Sequence, residues 1–149
     1  MIEKNTKMEA LYTGNGKING LYRRWAQKRN LNYYMVSMLY ILLSRDSITQ
    51  KEFCENYEVP KQTLGNVIAP LKKDGIIILL PSLKDGREKL LYLTEKGRAY
   101  AEELLAPLLE IESAVMKKFG EAEMEQIVSL ITEFSELLEL EMSRKENMG

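Results

Sequence analysis

The sequence predicts a mainly α fold with a small β-hairpin, an α+β chain. Three observations carry that class. Apolar residues recur at three- and four-residue spacing through most of the chain, Ile76 to Leu80 is a continuous β-branched and leucine run, and Lys89 to Leu93 alternates beyond a turn at Asp85-Gly86. At 149 residues the chain has the size of a single domain, enough to bury roughly 68 to 70% of its unfolded surface. Its composition, 45% hydrophobic and 29% charged, is that of a folded globular protein rather than a disordered or collagenous one.

Residues 1–31 carry the weakest pattern. Tyr22, Trp25 and Ala26 are helix-spaced, but Gly14, Gly16 and Gly20 each weaken a helix by about 1 kcal/mol relative to alanine. The first helix is therefore expected mainly after Lys17. Thr13-Gly14-Asn15-Gly16-Lys17 has neither the GxxxxGK[ST] spacing of a phosphate loop nor an apolar strand before it, and reads as a turn.

From Asn32, the positions Tyr34, Met35, Met38, Leu39, Leu42 and Leu43 give an amphipathic core helix ending near Ser44-Arg45-Asp46. Thr49 stands three residues before Glu52, the capping-box spacing in which each side chain satisfies a free amide of the first turn. A short helix follows to about Tyr57, with Phe53 and Cys54 facing inward. After Val59, Pro60 sits where a missing amide costs nothing, and Leu64, Val67, Ile68 and Leu71 define the apolar face of a further helix stopped by Asp74-Gly75. Pro70 lies inside that helix and predicts a kink or an irregular last turn.

Thr94 and Glu95 cap a long helix whose apolar stripe runs from Ala101 to Val115 and ends near Phe119-Gly120, with Pro107 expected to bend it. A last helix from about Ala122 puts Met124, Ile127, Val128, Ile131, Phe134, Leu138 and Met142 on one face, with glutamates opposite. Leu130, Leu137 and Leu140 beside that stripe make it apolar over more than one face, more than a monomer readily covers.

The net charge of −1 hides a segregation. Residues 1–59 carry +3, residues 60–98 carry +4, and residues 99–149 carry −8. A basic middle beside an acidic C-terminal third suits a polyanion on one surface only. Glutamates that merely solvate helical faces would produce the same pattern. There is no histidine, so the commonest general base and the commonest imidazole ligand for transition metals are missing. No nucleophile stands beside a base and no metal cluster is visible; neither an enzyme nor a cofactor is expected. The single cysteine, the lack of an apolar leader and the lack of an apolar run of about 18 residues point to a cytoplasmic chain without a membrane span.

Two short helices joined by a tight turn, then a hairpin, make a helix-turn-helix with a wing, a unit whose second helix can enter the major groove of DNA. On that helix Lys61, Gln62, Gly65, Asn66, Ala69, Lys72 and Lys73 face out. Gln62 and Asn66 can pair bidentately with adenine, Lys61 can reach guanine or phosphate, and Thr63 can donate to phosphate or touch a thymine methyl. Gly65 would let a backbone come close. The hairpin tip offers Lys84, Asp85, Arg87 and Lys89 to the same DNA surface, and an arginine there could enter a narrow minor groove. Each of these residues alone would also fit an ordinary solvated surface.

In this stretch the chain resembles the MarR (multiple-antibiotic-resistance regulator) family of bacterial winged-helix transcription factors. Thr49-Gln50-Lys51-Glu52 looks like the opening of that family's helix-turn-helix, Pro60 to Leu64 like the start of its recognition helix, and Leu71 to Ile76 like that helix's end. Asp85 and Arg87 match the family's Asp-x-Arg wing signature, and Leu93-Thr94-Glu95-Lys96-Gly97 its Leu-Thr-x-x-Gly. The resemblance covers about residues 47–100. It implies a winged helix-turn-helix in residues 32–98, dimerisation helices in 1–31 and 99–149, and a symmetric homodimer on one face of double-stranded DNA.

The resemblance also implies a small aromatic effector bound between the dimerisation helices and the winged region, for which Tyr22, Trp25, Tyr33, Tyr34 and Met38 are the candidate residues. Redox-sensing members carry a cysteine near the start of the N-terminal helix, so Cys54, beside Glu52 and Glu55, reads as a core thiol. The leading expectation is a sequence-specific repressor on a pseudo-palindromic site. The other is a winged-helix interaction or scaffold module without specific DNA binding.

Overall fold

The computed structural model describes residues 3–149. Six helices and three strands follow in the order α1 (Thr6–Gln27), α2 (Tyr33–Arg45), β1 (Ser47–Thr49), α3 (Gln50–Tyr57), α4 (Lys61–Lys73), β2 (Ile77–Pro81), β3 (Lys89–Leu93), α5 (Glu95–Phe119) and α6 (Glu121–Met148). The chain forms two compact units, one through Leu105 and one from Ala106 to Gly149. The predicted α+β class and the order of its main helices are those observed.

The first helix is where sequence reasoning fails. It begins at Thr6, not after Lys17, and the presumed turn Thr13–Lys17 is helical. Asn5 caps it, its side chain accepting from the Met8 amide at 3.1 Å, and Thr13 donates to Glu9 at 2.7 Å. Glycine lowers helix stability without removing a backbone donor, so a helix already nucleated continues through it. Met8, Leu11, Tyr12, Ile18 and Leu21 remain exposed along α1, while Trp25 and Ala26 are buried.

Asn32 caps α2 through its side chain, which accepts from the amides of Tyr34 and Met35. Strand β1 has no signal in the local sequence. It is three residues long, too short for a periodicity, and pairs antiparallel with β3 at Ile48↔Leu91. The sheet is therefore three-stranded, β1-β3-β2, rather than a lone hairpin. The capping box is half made: Thr49 accepts from the Glu52 amide at 3.0 Å, but Glu52 turns to Arg45 at 3.0 Å. Phe53 is fully buried, whereas Cys54, expected to face inward with it, is only half-buried.

Pro60 stands at the N-cap of α4, one residue before the first helical position. Leu64, Val67, Ile68 and Leu71 are all buried, as their spacing predicts. The helix runs unbroken through Pro70, so of the kink and the irregular last turn that the proline suggests, the second does not occur. Pro70 and Asn66 lie on the exposed side, where water can take the carbonyl that lacks its helical donor. The end is a Schellman motif: the Gly75 amide bonds the Lys72 carbonyl at 3.1 Å and the Ile76 amide the Leu71 carbonyl at 2.8 Å. That geometry puts Gly75 at φ 72°, which glycine adopts without steric cost.

The core of the first unit is built from Met38, Leu39 and Leu42 of α2, Ile48 of β1, Phe53 of α3, Leu64 of α4, Ile77 and Leu91 of the sheet, and Leu105 of α5, all essentially inaccessible. It fixes α4 against α2, α3 and β2, leaving the opposite side of α4 to solvent. In the second unit no residue of α6 is buried.

Candidate nucleic-acid interface

The residues that project from α4 do so because its four buried side chains fix the helix's rotation. Lys61, Gln62, Gly65, Asn66 and Lys72 are exposed as expected, and Thr63 is half-buried at the edge of the same face. An added Cβ at Gly65 would meet nothing within 4 Å, so the backbone there is open to an incoming surface.

Before α4, Glu58 closes α3 in the left-handed region, at φ 49°, and its amide and that of Val59 both donate to the Cys54 carbonyl. This is the tight turn that sets α3 against α4. Phe53 and Tyr57 stack at 4.7 Å between ring centroids. Burial pushes the Tyr57 phenol above its ordinary pKa against the opposing pull of Arg45, so it is neutral at physiological pH.

The wing is a tied loop. The Ser82 amide donates to the Glu88 carbonyl at 2.9 Å and the Glu88 amide to the Asp85 carbonyl at 3.0 Å. Asp85 accepts the Arg87 amide at 3.0 Å, and Ser82 accepts the Lys84 amide at 3.3 Å. Lys84, Asp85, Arg87 and Lys89 are all exposed. Among the described residues none of these three cations has a carboxylate partner within 4.0 Å. Asp85, expected at the interface, here shapes the tip that carries Arg87.

The wing and α4 are joined by a lock around Thr94. Its hydroxyl donates to the Gly75 carbonyl and accepts the Gly97 amide at 2.8 Å, while its own amide donates to the Ile76 carbonyl at 3.0 Å. A Cβ on Gly97 would overlap that Ile76 carbonyl. Lys96 adds a bond to the Asp74 carbonyl at 2.9 Å. The bond from the Gly97 amide is the cap the sequence predicts; the other partners, Gly75 and Ile76, lie almost 20 residues away, beyond any local pattern.

Of the five candidate effector residues, Trp25 and Met38 are buried and Tyr22, Tyr33 and Tyr34 half-buried. Tyr33 and Tyr34 meet edge-on at 5.6 Å, and the Arg23 guanidinium lies over Tyr33 at 4.3 Å. Arg29 covers Trp25 at 4.1 Å, and Met38 is fully buried. Tyr22 lies toward the end of α1, one turn before Trp25. The Trp25 indole Nε1 is buried without a hydrogen-bond partner among the described residues. A cavity of about 730 Å³ opens elsewhere, beside α4, and none of the five lines it. Its walls include Met35, Val67, Pro70 and Tyr100, with Asn66 and Lys96 among its polar groups. These residues come from α2, α4 and α5, a non-local grouping that sequence spacing cannot show.

Neither a comparison with protein-family models nor one with curated proteins finds a match. Solved structures do match. The chain is similar to NMB1585, a MarR family regulator from Neisseria meningitidis, at 30% identity over 95% of this chain and 99% of that one, with a TM-score of 0.78. It shares the fold of Staphylococcus aureus MepR in its DNA-binding conformation, at 20% identity, covering 87% and 98% of the two chains, TM-score 0.69. The fold also matches Bordetella bronchiseptica BpsR, whose DNA binding is regulated by 6-hydroxynicotinic acid, at 20% identity, covering 85% and 91%, TM-score 0.57. With a winged helix-turn-helix built as its sequence motifs require, and with NMB1585 aligned over almost all of both chains, this chain belongs to the MarR family of transcriptional regulators.

Proposed function

We propose that the chain is a sequence-specific DNA-binding regulator, a repressor acting as a homodimer on a pseudo-palindromic site. The observation that carries the reading is the solvent face of α4, where Lys61, Gln62, Gly65 and Asn66 stand exposed opposite four buried side chains. Residues 32–98 form the DNA-binding region, with Lys61, Gln62, Thr63, Gly65, Asn66 and Lys72 at the major groove. Lys84, Asp85, Arg87 and Lys89 form the wing. Residues 1–31 and 99–149 supply the dimerisation helices. A 28-residue helix without one buried residue, carrying exposed Val128, Leu130, Ile131, Leu137 and Leu140, supports a second copy as its cover. MarR neighbours are regulators, and we assign this chain no catalytic role. No described helix is long and apolar enough to cross a membrane, and the reading places the protein in the cytoplasm.

The regulation reported for BpsR supports a small aromatic effector here too. The cavity beside α4 is the better place for it, because Thr63 and Asn66 belong both to its lining and to the reading face. Tyr22, Trp25, Tyr33, Tyr34 and Met38 remain the second place, where the unpaired Trp25 N–H would meet an acceptor.

The experiment is duplex selection from a randomised pool, then fluorescence anisotropy of the selected and scrambled duplexes from about 50 to 200 mM salt. A palindrome bound about a thousandfold or more tighter than the scramble is expected. A weak, nearly salt-independent interaction would instead favour a protein-interaction module. Gly65→Ala separates stability from binding. It is expected to raise stability by about 0.5–1 kcal/mol, because the new methyl enters open space, yet to lower affinity for the selected duplex. Thermal denaturation and anisotropy check the two halves.

A further inference from the structure

Leu83 is the most exposed large apolar side chain among the described residues, with a relative accessibility of 104%. The tip that carries it is held by the hydrogen bonds among Ser82, Lys84, Asp85, Arg87 and Glu88. Behind it, β2 is apolar on its outer face as well as its inner one: Ile78 pairs with Tyr92 and Leu80 with Leu90, and Ile78 and Leu80 are exposed. A wing strand that only had to cover the core would alternate with polar residues. Lys84, Arg87 and Lys89 flank the leucine without carboxylate partners, while the Asp85 carboxylate is engaged by the tip's own backbone. The surroundings of Leu83 are thus suited to a polyanion that offers an apolar slot.

Resting on the DNA-binding reading above, we propose that Leu83 is an apolar wedge, entering the minor groove beside Arg87 and opening a base step at the flank of each half-site. Leucine is among the side chains that partly unstack a step and bend the duplex toward the major groove. Pyrimidine–purine steps yield most easily, so the wedge selects TA or CA/TG there without any hydrogen bond to a base. Lys84 and Arg87 supply the attraction that holds it in the groove.

The test uses the full chain and the selected duplex, labelled at both ends for energy transfer, with Leu83→Ala, Leu83→Met and Arg87→Ala. Leu83→Ala is expected to lose about tenfold in affinity with an unchanged salt slope, because no phosphate contact is removed. It should also straighten the duplex and abolish the preference for a flexible flanking step. Leu83→Met should retain all three properties, and thermal unfolding of every variant should match the parent. If the parent binds and bends the duplex and Leu83→Ala does the same, the wedge is refuted while the DNA-binding reading stands. If Leu83→Ala alters only self-association in light scattering, the apolar tip serves a second copy and the wedge is likewise refuted. A parent that selects no duplex overturns both readings.

Discussion

Gly97→Ala is expected to destabilise the fold by about 3 kcal/mol, although it adds a single methyl group at the start of a helix, where alanine is normally the better residue. The new Cβ would overlap the Ile76 carbonyl, and neither partner can yield cheaply. Ile76 is fixed on one side by the Schellman bond to Leu71 at 2.8 Å and on the other by the Thr94 amide at 3.0 Å. Gly97 is fixed by its own amide, which donates to the Thr94 hydroxyl at 2.8 Å. Relief requires α5 to move away from the α4 terminus, which breaks the lock. The propensity gain of about 1 kcal/mol is therefore outweighed. For a chain of this length the loss corresponds to about 6–12 °C in Tm, read by calorimetry. Gly65→Ala, where the methyl meets nothing, should move Tm in the opposite direction, and equal shifts at both positions would refute the close-approach account.

The contrast shows what a sequence can disclose. Leu64, Val67, Ile68 and Leu71 are four residues on one helix, and their spacing alone predicted which side of α4 is buried and hence which residues face out. The Asp74-Gly75 stop was legible for the same local reason. Gly97 stood in a motif whose purpose no spacing explains, because its constraint comes from Ile76, 21 residues earlier, and is visible only when the two backbones meet. β1 escaped notice on the same ground: Ile48 is extended because Leu91 lies opposite it. At α1 the local signal misleads in the other direction, since three glycines point to a later start while the hydrogen-bonded ladder capped by Asn5 carries the helix through them. Wing residues Lys84, Asp85 and Arg87 lie in the tip and Lys89 opens β3 beside it, as the turn signal suggests, but the hydrogen bond that gives Asp85 a different task from its neighbours is a matter of geometry.

That task bears on the expected loss from Arg87→Ala, about 1–3 kcal/mol of specific affinity, or about fivefold to 150-fold by anisotropy on the selected duplex. The Arg87 side chain is exposed and has no carboxylate partner among the described residues, so its removal should leave stability nearly unchanged and act on binding alone. The loss should be greatest on duplexes in which a short A-tract adjoins the flexible flanking step, because its narrow minor groove concentrates negative potential. Lys72→Ala, which removes a charge from the α4 face, should instead weaken all sequences alike and reduce the salt slope by about 0.9. Asp85 then decides how Arg87 is used. If its carboxylate acted only as a charge near DNA, Asp85→Ala would relieve repulsion and strengthen binding. Its hydrogen bond to the Arg87 amide at 3.0 Å predicts the opposite. Freeing the tip releases backbone conformations that cost about 1–2 kcal/mol per residue to fix again on binding, more than an exposed charge contributes in salt. Asp85→Ala is thus expected to weaken binding, although by less than Arg87→Ala. In the double variant the Asp85 effect should largely vanish, because the side chain that the tip positions is gone; an additive double variant would show that the two residues act independently.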